Sequence, residues 1–395
     1  MVVITRLVST SFVVAMAALT SVVSAVGTTT PSVFAYIVDW ELPKDIQWSK
    51  VDHVIYSFAE PDQHGKLTNF DTQQLQSVVK QAHAHNVGIS ISVGGWSGSR
   101  YFSSLLSKSS STFAKTIISA VHQYSLDGVN IDWEYPNSPD AMTCNTRSSK
   151  DTANYLTFLK TLRHGLGSKL ITLATGTSPF NDNNGNPSKN VASFAKVVDS
   201  FLVMTYDING NWDTTTGPNS PLYDGPKGER MSVEAALSQW HAAGVPYKQL
   251  SVGTAFYGWT ARTTSNSLSS QYVSFAKTQI RGDQYDTMSA DPCPGAPKSY
   301  SGEMQWRSIA SAGIDAGKNG WKTHFDTTTE TPYAVNSEKK QIVTYDNVKS
   351  LQLKANFAKS HGASLFLWSL EMVCLFTCGG DFIQVPRARN SRCQN

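Results

Sequence analysis

Eight short apolar runs separated by amphipathic segments constrain this chain more than any other feature of it. They lie at 33–39 (VFAYIVD), 52–58 (DHVIYSF), 88–93 (GISISV), 127–134 (DGVNIDWE), 170–175 (LITLAT), 200–206 (SFLVMTY), 250–256 (LSVGTAF) and 364–369 (SLFLWS). Such alternation signals parallel strands joined by helices. Segment 71–85 opens on Asp71 as a candidate N-cap, with Gln74 at the third helical position. Leu75, Val78, Val79 and Ala82 then fall on one face. Segments 111–124, 151–166, 190–198, 232–243 and 346–361 read the same way. Eight strands with interleaved helices predict an α/β fold, a (β/α)8 TIM barrel, whose functional residues sit at the C-terminal ends of the strands.

One gap breaks the rhythm. Roughly 85 residues separate the seventh run from the helix beginning near Asp346, far more than an ordinary βα loop. The stretch alternates aromatic or apolar residues with polar ones, so it predicts a small α+β insertion over 260–344, between strand 7 and helix 7. The barrel then comprises 26–259 plus 345–395. Trp321 and Tyr333 either fill the insertion's core or line a cleft. No internal repeat and no Ser/Thr/Pro-rich linker is present.

Composition narrows the class. At 40% hydrophobic residues the chain has ample material for a core, which excludes disorder. A net charge of +3 without a dense basic run argues against nucleic acid as a partner. Ten Trp, fifteen Tyr and seventeen Phe, with only 16% charged residues, favour a partner that stacks on rings. Residues 1–25 carry one charge, Arg6, then an apolar run ending in Val23-Ser24-Ala25. This reads as a secretory signal cut after Ala25, with a membrane anchor as the alternative. No later stretch is apolar enough to span a bilayer, so the expected mature protein is secreted, extracellular and free of the membrane. Five cysteines, Cys144, Cys293, Cys374, Cys378 and Cys393, leave at least one thiol free or paired between chains. Their spacing suits no zinc site, so neither metal nor cofactor is expected.

The densest chemistry lies in DGVNIDWEYP, Asp127 to Pro136. Side chains alternate along a strand, so Asn130, Asp132 and Glu134 share one face at steps of about 6.6 Å. Two carboxyls on a buried strand keep one proton near neutral pH, as a general acid requires. Glu134, nearest the strand end, is best placed to meet a substrate. The competing reading, a salt-bridge network inside the barrel, lacks any Lys or Arg in this strand. Asp127 has the opposite parity to Glu134 and reads as structural.

These residues resemble the family 18 glycoside hydrolases, the secreted chitinases, whose fourth-strand signature Asp-Gly-x-[Asp/Asn]-x-Asp-x-Glu is filled by Asp127, Gly128, Asn130, Asp132 and Glu134. Further motifs match in order: Ser92, Gly94 and Gly95 followed by Trp96 after strand 3; Met204, Tyr206 and Asp207 after strand 6; Tyr257 and Gly258 after strand 7; Trp368 ending strand 8; Tyr36 and Trp40 at strand 1. The resemblance spans about 33–371 and implies hydrolysis of β-1,4-linked N-acetylglucosamine polymers, endo- or exo-acting. It implies retention without an enzyme nucleophile. Glu134 would protonate the glycosidic oxygen and the substrate's acetamido carbonyl would attack. Asp132 would hold the acetamido N–H, Tyr206 would orient that group, and Asp207 would support the distorted sugar. Trp368 would be the floor, with Trp40, Trp96 and Tyr257 as stacking platforms and Gly95 and Met204 lining the site. Tyr36 and Phe58 read equally as barrel core. Gly94 and Gly95 read as positions of close backbone approach. The expected partners are chitin and chitooligosaccharides, met by a monomer.

Three departures stand out. Asn130 replaces the commoner Asp, which predicts that its amide donates to Asp132 and holds it ionised. Trp259 and Ala255 stand where many relatives have Arg and Pro. The tail after Met372 lacks the pattern of an eighth helix, which leaves the closing of the barrel open. Two other readings are a non-catalytic chitin-binding lectin, which typically lacks the motif Glu, and an endo-N-acetylglucosaminidase acting on glycoprotein glycans.

Overall fold

The computed structural model describes residues 32–226, 231–264, 269–276 and 278–373. The expected signal at 1–25 and the tail holding Cys374, Cys378 and Cys393 lie outside the described residues.

Each apolar run forms a strand. In chain order these are β1 (Val33–Val38), β2 (His53–Pro61), β3 (Gly88–Gly94), β4 (Gly128–Asp132), β5 (Leu170–Thr175), β6 (Ser200–Val203) and β7 (Leu250–Ala255). The insertion contributes β8 to β12, and the last barrel strand is β13 (Ser364–Trp368). All eight barrel strands pair in parallel, each with its neighbours. β13 closes the ring on β1, Val33 facing Leu365, and needs no residue of the tail to do so. The fold is a (β/α)8 TIM barrel.

Helices α1 (Thr72–Ala84), α2 (Ser110–Gln123), α3 (Asp151–Leu166), α4 (Val233–Ala242) and α5 (Val348–His361) cover the barrel. Their ends follow local chemistry. The Asp71 carboxylate accepts from the N–H groups of Gln73 and Gln74, and Asn347 closes a capping box with Ser350. The helix expected at 190–198 is instead a run of tight turns, with Phe194 N–H donating to Val191 O and Val197 N–H to Phe194 O. The segment is too short to propagate a helix, yet it still turns Val191, Phe194 and Val198 into the core.

Between β7 and α5 an antiparallel sheet rises from the C-terminal end of the barrel. Its strands are β8 (Tyr257–Arg262), β9 (Glu303–Gln305), β10 (Lys322–Asp326), β11 (Thr331–Asn336) and β12 (Gln341–Thr344), in the order β9-β8-β12-β11-β10. Trp321 and Tyr333 are both buried, Tyr333 in a small cluster with Ala261, Val335 and Ile342. Both fill core.

Candidate active site

The barrel interior beneath the mouth is tied together by one amide. Asn130 Oδ1 accepts from Ser92 Oγ at 2.7 Å and from Tyr36 Oη at 3.0 Å, while its Nδ2 donates to Thr172 Oγ1 at 2.9 Å. Four strands, β1, β3, β4 and β5, thus meet at a fully buried residue. The expected donation from Asn130 to Asp132 is not made: the amide lies between the neighbouring strands and bonds across the sheet to the hydroxyls of Tyr36, Ser92 and Thr172 instead. Tyr36 is 1% exposed and meets the site through its bond to Asn130 and its edge-on contact with Trp368, ring centroids 5.3 Å apart. Asp127 binds backbone, its carboxylate accepting from the Ile89 N–H at 2.9 Å.

Asp132 is 4% exposed, and its Oδ1 has no hydrogen-bond partner among the described residues. Burial pushes its carboxyl up to about 7. Glu134 lies two residues past the end of β4 and is only partly buried. Burial pushes its pKa well above the usual carboxylate range, and the neighbouring Asp132 and then Asp207 push it further; a Tyr135 hydrogen bond offsets little of this. No Lys or Arg bonds to either carboxyl among the described residues. Burial and mutual repulsion therefore favour the protonated form at this face. The chain narrows here by omission: a Cβ on Gly94 (φ 116°) would lie 2.0 Å from Asp132 O, and one on Gly95 (φ 84°) 3.0 Å from the Phe58 ring.

Tyr206 and Asp207 follow β6. Tyr206 is 9% exposed and packs edge-on against Tyr257 and Phe366. Asp207 has φ 57°, a left-handed backbone that is uncommon outside glycine. Its N–H donates to Asn219 Oδ1, and Asn219 Nδ2 in turn donates to Tyr257 O. The Asp207 Oδ1 accepts from Tyr257 Oη at 2.6 Å and Trp259 Nε1 at 2.9 Å. One edge of Asp207 meets solvent; enclosure by protein on its other sides raises its pKa, and the two hydrogen bonds lower it less.

The aromatic residues divide into two sets. Trp368, at the end of β13, stacks on Phe58 (5.6 Å), and Phe58 stacks on Trp40 (6.2 Å). Trp40 is 66% exposed, so the row leads from the carboxyls out to solvent. Tyr257 does not belong to it: the ring is 3% exposed and its hydroxyl is bound to Asp207, so the expected platform is a support instead. Met204 is partly buried and packs against the core. Trp96 stands exposed beside Gly95, with its Nε1 donating to Asp291 Oδ1 at 2.8 Å.

Sequence reasoning missed three contributors. Trp259 stands out in the sequence as a departure, but nothing there points to its bond to Asp207. Asn219 had no signal beyond its type. Trp212, 58% exposed and edge-on to Trp259, stands five residues after Asp207, close enough for an aromatic scan of that loop to have found it. No group of three His, Cys, Asp or Glu is arranged to hold a metal, and no helix is long and apolar enough to cross a membrane, among the described residues.

Comparison with known proteins places this geometry. The model for glycosyl hydrolases family 18 matches residues 32–372. A "chitinase-like effector" of Moniliophthora roreri is 33% identical over 350 residues, covering 84% of this chain and 86% of that protein. Chitinase A1 of Niallia circulans is 30% identical over 307 residues, covering 72% of this chain and 40% of that protein. The crystal structure of a chitinase from Rhizomucor miehei superposes with a TM-score of 0.86 at 44% identity, covering 88% of this chain and 97% of that one. With the family model spanning nearly all the described residues, the chain belongs to the glycosyl hydrolases of family 18.

Proposed function

We propose that this protein is a secreted chitinase that hydrolyses β-1,4-linked N-acetylglucosamine polymers with retention, the substrate's own acetamido group acting as nucleophile. The observation that carries the reading is the pair Asp132 and Glu134. Burial pushes Asp132 up to about 7 and holds Glu134 well above the usual carboxylate range, with no cation bonded to either among the described residues and one Asp132 oxygen left without a partner.

Glu134, protonated, gives its proton to the glycosidic oxygen as that bond breaks. The acetamido carbonyl oxygen attacks the anomeric carbon from the opposite face, giving an oxazolinium ion. Asp132 Oδ1 accepts the acetamido N–H and stabilises the positive charge. Tyr206 donates to the acetamido oxygen and orients it, and Asp207 holds the distorted sugar. Glu134, now ionised, takes a proton from water, which attacks the anomeric carbon and restores the configuration. Trp368 supports the reacting sugar, while Trp40 and Trp96 take sugars further along the chain. The disulfide between Cys144 and Cys293 and the leader at 1–25 support export through an oxidising compartment.

A second reading has one specific support: two relatives carry the name "chitinase-like effector", which leaves room for a chitin binder without turnover. A time course of chitohexaose digestion, with product lengths and anomers followed, separates the two. Release of β-anomeric products ahead of mutarotation supports the proposal. Binding without hydrolysis overturns it in favour of the lectin.

A further inference from the structure

The closed ring places β3 diametrically opposite β7, since the order is β1-β13-β7-β6-β5-β4-β3-β2. The insertion springs from β7, and its strand β9 is paired to β8 there. A hairpin nevertheless runs from its base to the far side of the mouth. Ser289 and Ser299 exchange backbone hydrogen bonds at 3.1 and 2.9 Å to form the hairpin. Buried Asp286 anchors its foot, accepting from the N–H groups of Gly282, Ser301 and Gly302.

At its far end the hairpin is fastened at two places. Asp291 accepts from Trp96, two residues past β3. Cys293 is disulfide-bonded to Cys144 in the loop after β4, and Thr143 Oγ1 of the same loop contacts the Cys293 sulfur. That loop is itself held to the site, Asn145 Nδ2 donating to Glu134 O at 3.1 Å. The hairpin therefore joins opposite rims of the mouth in which Asp132, Glu134, Tyr206 and Asp207 lie, and one of its fastenings is covalent.

We infer that the hairpin 289–299 is a permanent strap across the substrate cleft, locked by Cys144–Cys293, and that it restricts this protein to polymer chains presenting a free end. A polysaccharide cannot pass laterally beneath a bridge closed by a covalent bond; it has to thread. A hydrogen bond alone, such as Trp96 to Asp291, would open and close on the timescale of loop motion, whereas a disulfide does not. The inference rests on the chitinase reading and deepens it, by naming which part of the polymer is attacked.

The test compares the oxidised protein with two opened forms. One is the Cys293→Ser, Asp291→Ala double variant. The other is the wild-type chain after dithiothreitol has reduced the disulfide to two thiols, itself becoming oxidised, and iodoacetamide has capped every thiol, compared with oxidised protein treated with iodoacetamide alone. The probes are soluble glycol chitin, followed by viscosity loss per reducing end released, and chitohexaose as a short chain that threads freely. The oxidised protein is expected to release short products with little loss of viscosity. The opened forms should lose viscosity several-fold faster per bond broken, at similar rates on chitohexaose. Equal viscosity loss per bond in oxidised and opened forms overturns the strap. Should the double variant fold poorly, the reduced and capped wild type decides alone. If none of the forms hydrolyses chitohexaose, the chitinase reading fails instead, a different and recognisable outcome.

Discussion

Two of the places where the chain buries carboxyl groups treat them in opposite ways. Beneath α5, Asp346 and Lys354 are completely buried and bonded at 2.5 Å. The surroundings complete the network: Lys354 Nζ also donates to Ser220 Oγ, Ser220 Oγ donates to Thr205 O, and Ser350 Oγ donates to the second oxygen of Asp346. Burial lowers the Lys354 pKa, while Asp346 raises it. At the barrel mouth Asp132 and Glu134 have no such cation, and Glu303 nearby is pushed up to about 8 by burial and by Asp207. The first arrangement fixes a helix to the barrel. The second keeps a proton available and a carboxyl oxygen open. The contrast shows what separates the two: Asp346 receives a cation within bonding distance, and Asp132 and Glu134 receive none among the described residues.

Replacing Glu134 with Gln should lower chitohexaose turnover by about 100-fold or more, the scale of a lost general acid, while oligomer binding and the thermal midpoint stay near wild type. Normal turnover would remove the functional half of the contrast. Lys354→Met should act the other way: leaving Asp346 buried without its cation costs about 3–5 kcal/mol in urea unfolding, and activity per folded molecule should hardly change. A stability loss at Glu134, or a selective activity loss at Lys354, would show the two regions to be less distinct than their geometry.

The pH dependence sharpens the comparison further. Asp132 moves from 3.8 when unfolded to about 7 when folded, so the folded state binds the extra proton across that interval. Its contribution to stability is present below about pH 4 and is lost as the pH rises through about 7. Asp132→Asn should flatten this decline, which urea titrations at a series of pH values would read. A smaller effect is expected at Asn130→Ala, about 1–3 kcal/mol from the stranded Tyr36, Ser92 and Thr172 hydroxyls. The smallest belongs to Trp40→Ala. It should raise KM for long oligomers by up to about tenfold, the scale of one ring contact at about 0.5–1.5 kcal/mol, and leave kcat on short ones alone.

Much of the architecture was legible because it rests on local chemistry. The apolar runs became strands within a few residues, and Asp71 capped its helix through the backbone donors that sequence alone suggests. The carboxylate face was legible for the same reason: alternation along one strand puts Asn130, Asp132 and Glu134 in line. What alternation cannot supply is the lateral partner. Strand order suggests Asp132 as the partner of the Asn130 amide, but its bonds run across the sheet to Tyr36, Ser92 and Thr172. The family resemblance suggests Tyr257 as a platform, and it is a support instead because Asp207 lies within reach of its hydroxyl. Cys144 and Cys293 lie 149 residues apart in sequence; counting cysteines could never select that pair.

Gly94 carries a consequence of another kind. The spacing between β3 and β4 at the mouth is set by an atom that is not there, since a methyl group at position 94 would lie 2.0 Å from the Asp132 carbonyl oxygen. Register there pairs Gly94 with Asp132 itself. The position thus works as a gauge for the whole carboxylate face: loops around it can lengthen, shorten or change partner, but any side chain here would tilt the strand that aims Asp132 and Glu134. A designer wishing to re-aim the acid by a small angle, without touching a single ionisable group, would begin at this missing methyl.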